Sequence, residues 1–195
     1  MTEKQIEKIR VKIKKIRSAL AAEKRMFGGY DDSRGLRYLP PGLFIKISDF
    51  TGGLTYLRWF AKNFSHDIGF PDFLFEWTLI LYQKGKFHEA EKKAFQTFCA
   101  NTYLFDKFFC NTIVPLTKYE SSNMSIPEFT DSFKYSQKQE QLKEFSEWLK
   151  KLTSSEKFEK LCNDFVSIQK RLLTEHDITK RKELLKQEDL LLDEI

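Results

Sequence analysis

The stretch "LILYQKGKFHEAEKKAFQTF", Leu79–Phe98, decides the fold. An apolar run meets a glycine at Gly85, an aromatic at Phe87 and an alanine at Ala90. A helical hairpin needs those residue types in that order. Gly85 supplies the turn, because glycine takes positive φ at no steric cost. Phe87 is placed to plug the base of the hairpin, and Ala90 is small enough to let the second helix approach the first. Leu74, Trp77 and Leu81, spaced by three and four, supply the large side of the contact.

Outward from this stretch, only helical periodicity recurs. Ile6, Ile9, Ile13, Ile16 and Leu20 form a heptad seam over residues 3–26, which should end at Gly28-Gly29. Residues 30–42 read as a polar connector, and Pro40-Pro41 suits a helix start. Four apolar helical stretches follow over 43–98, and Asn101-Thr102 can cap a short helix in "YLFDKFF". A soft boundary falls in "TKYESSNMSIP". Capping boxes are expected at Ser125–Glu128 and Thr153–Glu156. Beyond them, Phe158, Leu161, Phe165, Ile168 and Leu172 repeat the three-and-four spacing. A last helix from about 178 carries Ile178, Leu184, Leu185, Leu191 and Leu192. No stretch alternates as a strand would, so the fold class is all-α.

Residues 71–98 resemble a tetratricopeptide repeat, with Leu74, Trp77, Thr78, Leu81, Gly85, Phe87 and Ala90 at its signature positions. Ala94 and Thr97 depart from that pattern. A second, degenerate unit lies upstream: Phe50 precedes Phe87, and Gly53 precedes Ala90, each by 37 residues. Ser48 replaces the turn glycine there. "SRGLRYLPPG" and "IGFPDFLFEW" also resemble uncharacterised bacterial repeat proteins, over roughly residues 30–110. The resemblance implies a short right-handed array of stacked helical hairpins with flanking capping helices. The implied organisation is a basic amphipathic helix (1–29), TPR-like hairpins (30–115) and a C-terminal helical region (116–195). It places Ile45, Lys46, Phe75, Leu79, Tyr82 and Gln83 on a concave groove for a peptide or helix. Gly42 and Leu79 stand where that family's carboxylate-binding members need Asn, so no recognition of a peptide C-terminus is implied.

Net charge is +5, and its distribution is informative. Residues 1–25 hold nine Lys/Arg against Glu3, Glu7 and Glu23, a local +6 that leaves −1 for the rest. Nucleic acid could therefore dock through residues 4–25, although that helix carries no stacking aromatic. A solvated coiled-coil face explains the charges equally well. Three scattered cysteines, Cys99, Cys110 and Cys162, suit neither a disulfide framework nor a zinc site, and fit a reducing, cytoplasmic setting. The N-terminus has no apolar signal core, and "FLFEWTLILY" is too short to span a bilayer. His66, His88 and His176 have no ligand spacing. Tyr30, Asp31, Asp32, Arg34, Arg37 and Tyr38 could make a metal or phosphate site, or could cap helices and pair with one another. The latter is the simpler expectation. An enzyme built on Asp31 and Asp32 is the weakest of three readings. No catalytic residue, metal or cofactor is assigned. The leading expectation is a monomeric, non-enzymatic protein-interaction module, and the alternative is a nucleic-acid-associated protein.

Overall fold

Helix-forming periodicity is realised throughout. The computed structural model describes Met1–Tyr30 and Asp32–Ile195; Asp31 lies outside the described residues, which contain helices and no strand. The chain divides into two units, Met1–Lys86 and Phe87–Ile195. The division falls between the two helices of the 71–98 stretch.

In the first unit, α1 runs Glu3–Phe27. Thr2 and Gln5 form a capping box at its start, and Gly28 ends it at φ 74. A 3-10 turn, Leu36–Tyr38, leads into α2 (Leu39–Lys46), whose early prolines suit a helix start. Then come α3 (Phe50–Asn63) and α4 (Pro71–Gln83). Helices α2, α3 and α4 pack on one another, and α1 lies against α2 and the 3-10 turn. Only Ile13, Ile16 and Leu20 of the expected seam are buried; Ile6 and Ile9 stay partly exposed. Burying the three stabilises by roughly 1.5–3 kcal/mol each.

Glycines set two of these contacts. A β-carbon at Gly53 would lie 2.9 Å from Ile80 Cδ1, so α3 and α4 approach closely there. One at Gly42 would lie 2.5 Å from Glu76 Oε1.

The turns after α2 and α4 share one hydrogen-bond pattern. Lys84, Gly85 and Lys86 donate to Leu81, Tyr82 and Leu81 carbonyls, and Ile47, Ser48 and Asp49 donate to Phe44, Ile45 and Phe44 carbonyls. Each partner is shifted by the same 37 residues, and both turns are Schellman motifs. Gly85 takes φ 67, and Ser48 takes φ 55 in its place. Phe50 and Phe87 each begin the helix that follows. Phe87 remains 50% exposed.

The second unit comprises α5 (Phe87–Ala100), α6 (Leu104–Phe109), α7 (Lys143–Thr153), α8 (Glu156–Thr174) and α9 (Ile178–Leu191). Asn101 Oδ1 accepts the Tyr103 amide at 2.9 Å just before α6, but the N-cap of α6 is Tyr103 and it makes no side-chain cap bond, so the expected cap is not formed. The Asn101 side-chain amide donates to the carbonyls of Met124 and Ile126, pinning the long connector. Ser125–Glu128 is not a capping box: Pro127–Ser132 is a 3-10 turn without a side-chain cap, and Ser125 bonds other serines. Thr153 still belongs to α7, so Ser155 caps α8 instead. The α8 stripe Phe158, Leu161, Phe165, Ile168 and Leu172 is buried. Phe95 meets Phe158, and Phe98 meets Phe165, edge to face. On α9, Leu184 and Leu191 are buried, whereas Ile178 and Leu185 face solvent. No helix among the described residues is long and apolar enough to cross a membrane.

Candidate interaction groove

Two of the six residues assigned to a groove from sequence lie in the core. Phe75 and Leu79 are each 0% exposed. Residues 73–81 are apolar on nearly every side, so α4 is a central helix rather than the lining of a surface. Ile45, Tyr82 and Gln83 are partly exposed, and Lys46 is exposed.

Among the described residues of the polar connector, Asp32, Arg37 and Tyr38 form a hydrogen-bonded network. Asp32 accepts the Leu36 and Arg37 amides at 2.8 and 2.7 Å. The Arg37 guanidinium reaches Asp32 Oδ2 at 3.3 Å and Asp67 Oδ2 at 2.7 Å, and donates to the Tyr38 hydroxyl at 2.9 Å. Tyr38 donates to Asp67 in turn, and burial with that contact pushes its hydroxyl up to about 12. These bonds tie the connector to the 64–70 loop. Tyr56 donates to the Arg37 carbonyl at 2.7 Å and ties it to α3. No acidic, cysteine or histidine cluster suited to a metal occurs among the described residues.

A groove of about 680 Å³ lies between α1 and α3. Arg10, Lys14 and Arg17 form one wall. Phe44, Trp59 and Tyr30 line the apolar part, and Asp49, Thr51, Gly52 and Thr55 complete the far side. The sequence places these groups by simple means. Arg10, Lys14 and Arg17 are spaced by four and three, so they share one helical face beside the buried Ile13–Leu20 seam. Gly52, Thr55 and Trp59 are spaced by three and four on α3. A β-carbon at Gly52 would sit 2.5 Å from Asp49 Oδ2 and 2.6 Å from Phe44 Cε1. Glycine there lets Asp49 cap α3 through the Gly52 amide at 2.8 Å.

The aromatic residues are braced. Tyr30 meets Trp59 edge-on with centroids 5.7 Å apart, and packs on Phe64 at 4.8 Å. Lys24 lies 5.0 Å over the Tyr30 ring. The Tyr30 hydroxyl and Lys24 Nζ both donate to Asn63 Oδ1, at 3.1 and 3.3 Å. Trp59 also packs on Tyr56 at 5.2 Å. The cations of the opposite wall are exposed. Arg10 approaches only Glu7, at 3.8 Å on the surface, and Lys14 and Arg17 form no ion pair among the described residues. Asp49 is already engaged as a cap, so the groove presents excess positive charge beside apolar rings.

The second unit has a cleft of about 580 Å³ floored by Phe98, Phe105, Phe109 and Phe158. Its rim mixes Asp106 and Glu159 with Lys170, so it favours neither sign of charge.

The basic helix carries no aromatic of its own before Phe27; Tyr30, Phe44 and Trp59 are supplied to its groove by segments outside it. Trp59 beside Thr55 and Gly52 on α3 was the available signal. No family model, curated protein sequence or solved structure matches the chain.

Proposed function

We propose that the protein is a non-enzymatic interaction module that receives a helix or peptide of a partner protein. The observation carrying this reading is the open α1–α3 groove, with an apolar floor and an exposed polar rim, the surface anatomy that helix-in-groove recognition uses. The TPR-like array belongs to the same proposal, supported by the matched Schellman turns 37 residues apart. A photo-cross-linking residue placed at Thr55, in the groove, tests the reading in lysate of the native cells. A discrete protein adduct is expected, reduced by Trp59→Ala. The same probe at outward-facing Lys12 should give none. Protein adducts at Lys12 but not at Thr55 would overturn the assignment.

One observation favours a second reading. Lys4, Lys8, Lys12 and Lys15 are all exposed on the flank of α1 away from the groove. They would serve nucleic-acid docking, for which affinity must fall steeply with salt and disappear on reversing Lys8, Lys12 and Lys15.

A further inference from the structure

We infer that the occupant of the α1–α3 groove is an acidic amphipathic helix, with carboxylates on one flank and large apolar side chains on its buried stripe. This rests on the groove reading above and names the partner's chemistry. Arg10, Lys14 and Arg17 span about 10 Å along one face of α1 at the helical rise. A helix lying alongside presents Asp or Glu at the same three-and-four spacing, one carboxylate for each cation. Arginine in two of the three places favours bidentate carboxylate pairing. On the far wall, Thr51 and Thr55 are neutral, and the Asp49 carboxylate already accepts the Gly52 amide. The acidic flank therefore belongs against α1, and the apolar stripe against Trp59, Tyr30 and Phe44.

The same geometry disfavours nucleic acid as the occupant. Stacking of bases needs a free aromatic face. The Tyr30 ring is covered by Lys24 and Phe64, and Trp59 is packed against Tyr56, Phe64 and the edge of Tyr30. With their faces engaged by these neighbours, the rings suit contact with aliphatic side chains better than base stacking.

The test uses three probes on the full chain: a synthetic amphipathic helix with Leu on one stripe and Glu on its flank, the same peptide with Gln for Glu, and an oligothymidylate. Affinity is read by anisotropy of the labelled probe, and location by amide shifts of Thr51, Gly52, Thr55 and Trp59. The Glu peptide is expected to bind about tenfold more tightly than the Gln peptide. Lys14→Glu/Arg17→Glu should abolish that difference, and Lys8→Glu/Lys12→Glu should preserve it. All four residues are exposed, and unchanged thermal unfolding checks that the variants fold. Equal binding of the Glu and Gln peptides overturns the acidic partner and leaves the groove reading standing. Absence of shifts at Gly52, Thr55 and Trp59 with either peptide overturns the groove itself. An oligothymidylate that shifts those amides and is lost in Lys14→Glu/Arg17→Glu overturns the inference in favour of nucleic acid.

Discussion

Replacing Ser48 with glycine should stabilise the protein, and the reverse change at Gly85 should destabilise it by a similar amount. The two residues occupy the same place in two turns with the same backbone bonds, at φ 55 and φ 67. In the left-handed region a β-carbon crowds the following carbonyl, at about 1–2 kcal/mol. Glycine relieves this, but its freer unfolded chain offsets about 0.4–1 kcal/mol. The net gain for Ser48→Gly is therefore about 0.5–1 kcal/mol. Ser48 is exposed and its hydroxyl makes no hydrogen bond among the described residues, so little else is lost. At Gly85 an added β-carbon meets no atom within 4 Å, so Gly85→Ser loses stability through backbone strain alone. Ser48→Ala keeps the β-carbon and should be nearly neutral. Urea unfolding followed by tryptophan fluorescence measures all three, with Trp59 and Trp77 reporting on residues 1–86. The midpoint should move while the slope stays constant. If Ser48→Gly lowers stability, or if Ser48→Ala matches its gain, the left-handed turn is not the source of the strain and the reasoning fails.

Further perturbations probe other parts of the chain. Ile16→Asp puts a carboxylate where Ile16 is buried, and should lower stability by at least about 3 kcal/mol at every protein concentration; a variant that stays folded and only loses a dimer would make α1 an oligomerisation element. Burial lowers Lys93 to about 8. The unfolded chain then holds more protons than the folded one between about pH 8 and the ordinary lysine value, so stability should rise with pH across that window. Lys93→Met should flatten this rise in urea titrations at several pH values. Burial raises Cys99 well above its ordinary value and pushes Cys162 up to about 12, whereas Cys110 is exposed. A chromogenic disulfide reagent should therefore modify one thiol in the native protein, lost in Cys110→Ser, and all three in urea.

The helices were legible because their signals are local. Gly28 and Gly85 end helices at positive φ, and the α8 stripe of Phe158, Leu161, Phe165, Ile168 and Leu172 faces the core as its spacing demands. Capping boxes were less so, since Ser125–Glu128 and Thr153–Glu156 match a pattern that many loops satisfy. At the first, Ser125 has hydroxyl partners in Ser121 and Ser122; at the second, α7 continues one residue further than the box allows. Repeat geometry at residue 48 was legible only as a spacing. A serine there gives no composition cue for a left-handed turn, yet the backbone bonds require one.

The groove could not be read from any single segment, and the reason is geometric. A periodicity argument assigns faces within one helix and does not say which faces of different helices stay uncovered. The repeat resemblance placed Phe75 and Leu79 of α4 on a groove, although both are buried. Periodicity applied to α1 found cations without aromatics. Those come from Tyr30 beyond the helix, Phe44 at the end of α2 and Trp59 in the middle of α3. Tyr30 is held against α3 by Trp59, Phe64 and the Asn63 side chain, while the Arg37–Asp32–Asp67 network with its Tyr38 and Tyr56 hydroxyls ties the rest of the connector to α3 and the 64–70 loop. Apart from Tyr30, the described residues of the densest polar motif in the sequence thus lie outside the lining of that groove. Asp32, Arg37 and Tyr38 are engaged with one another and with Asp67, and the exposed charges of Arg10, Lys14 and Arg17 are left to meet a partner.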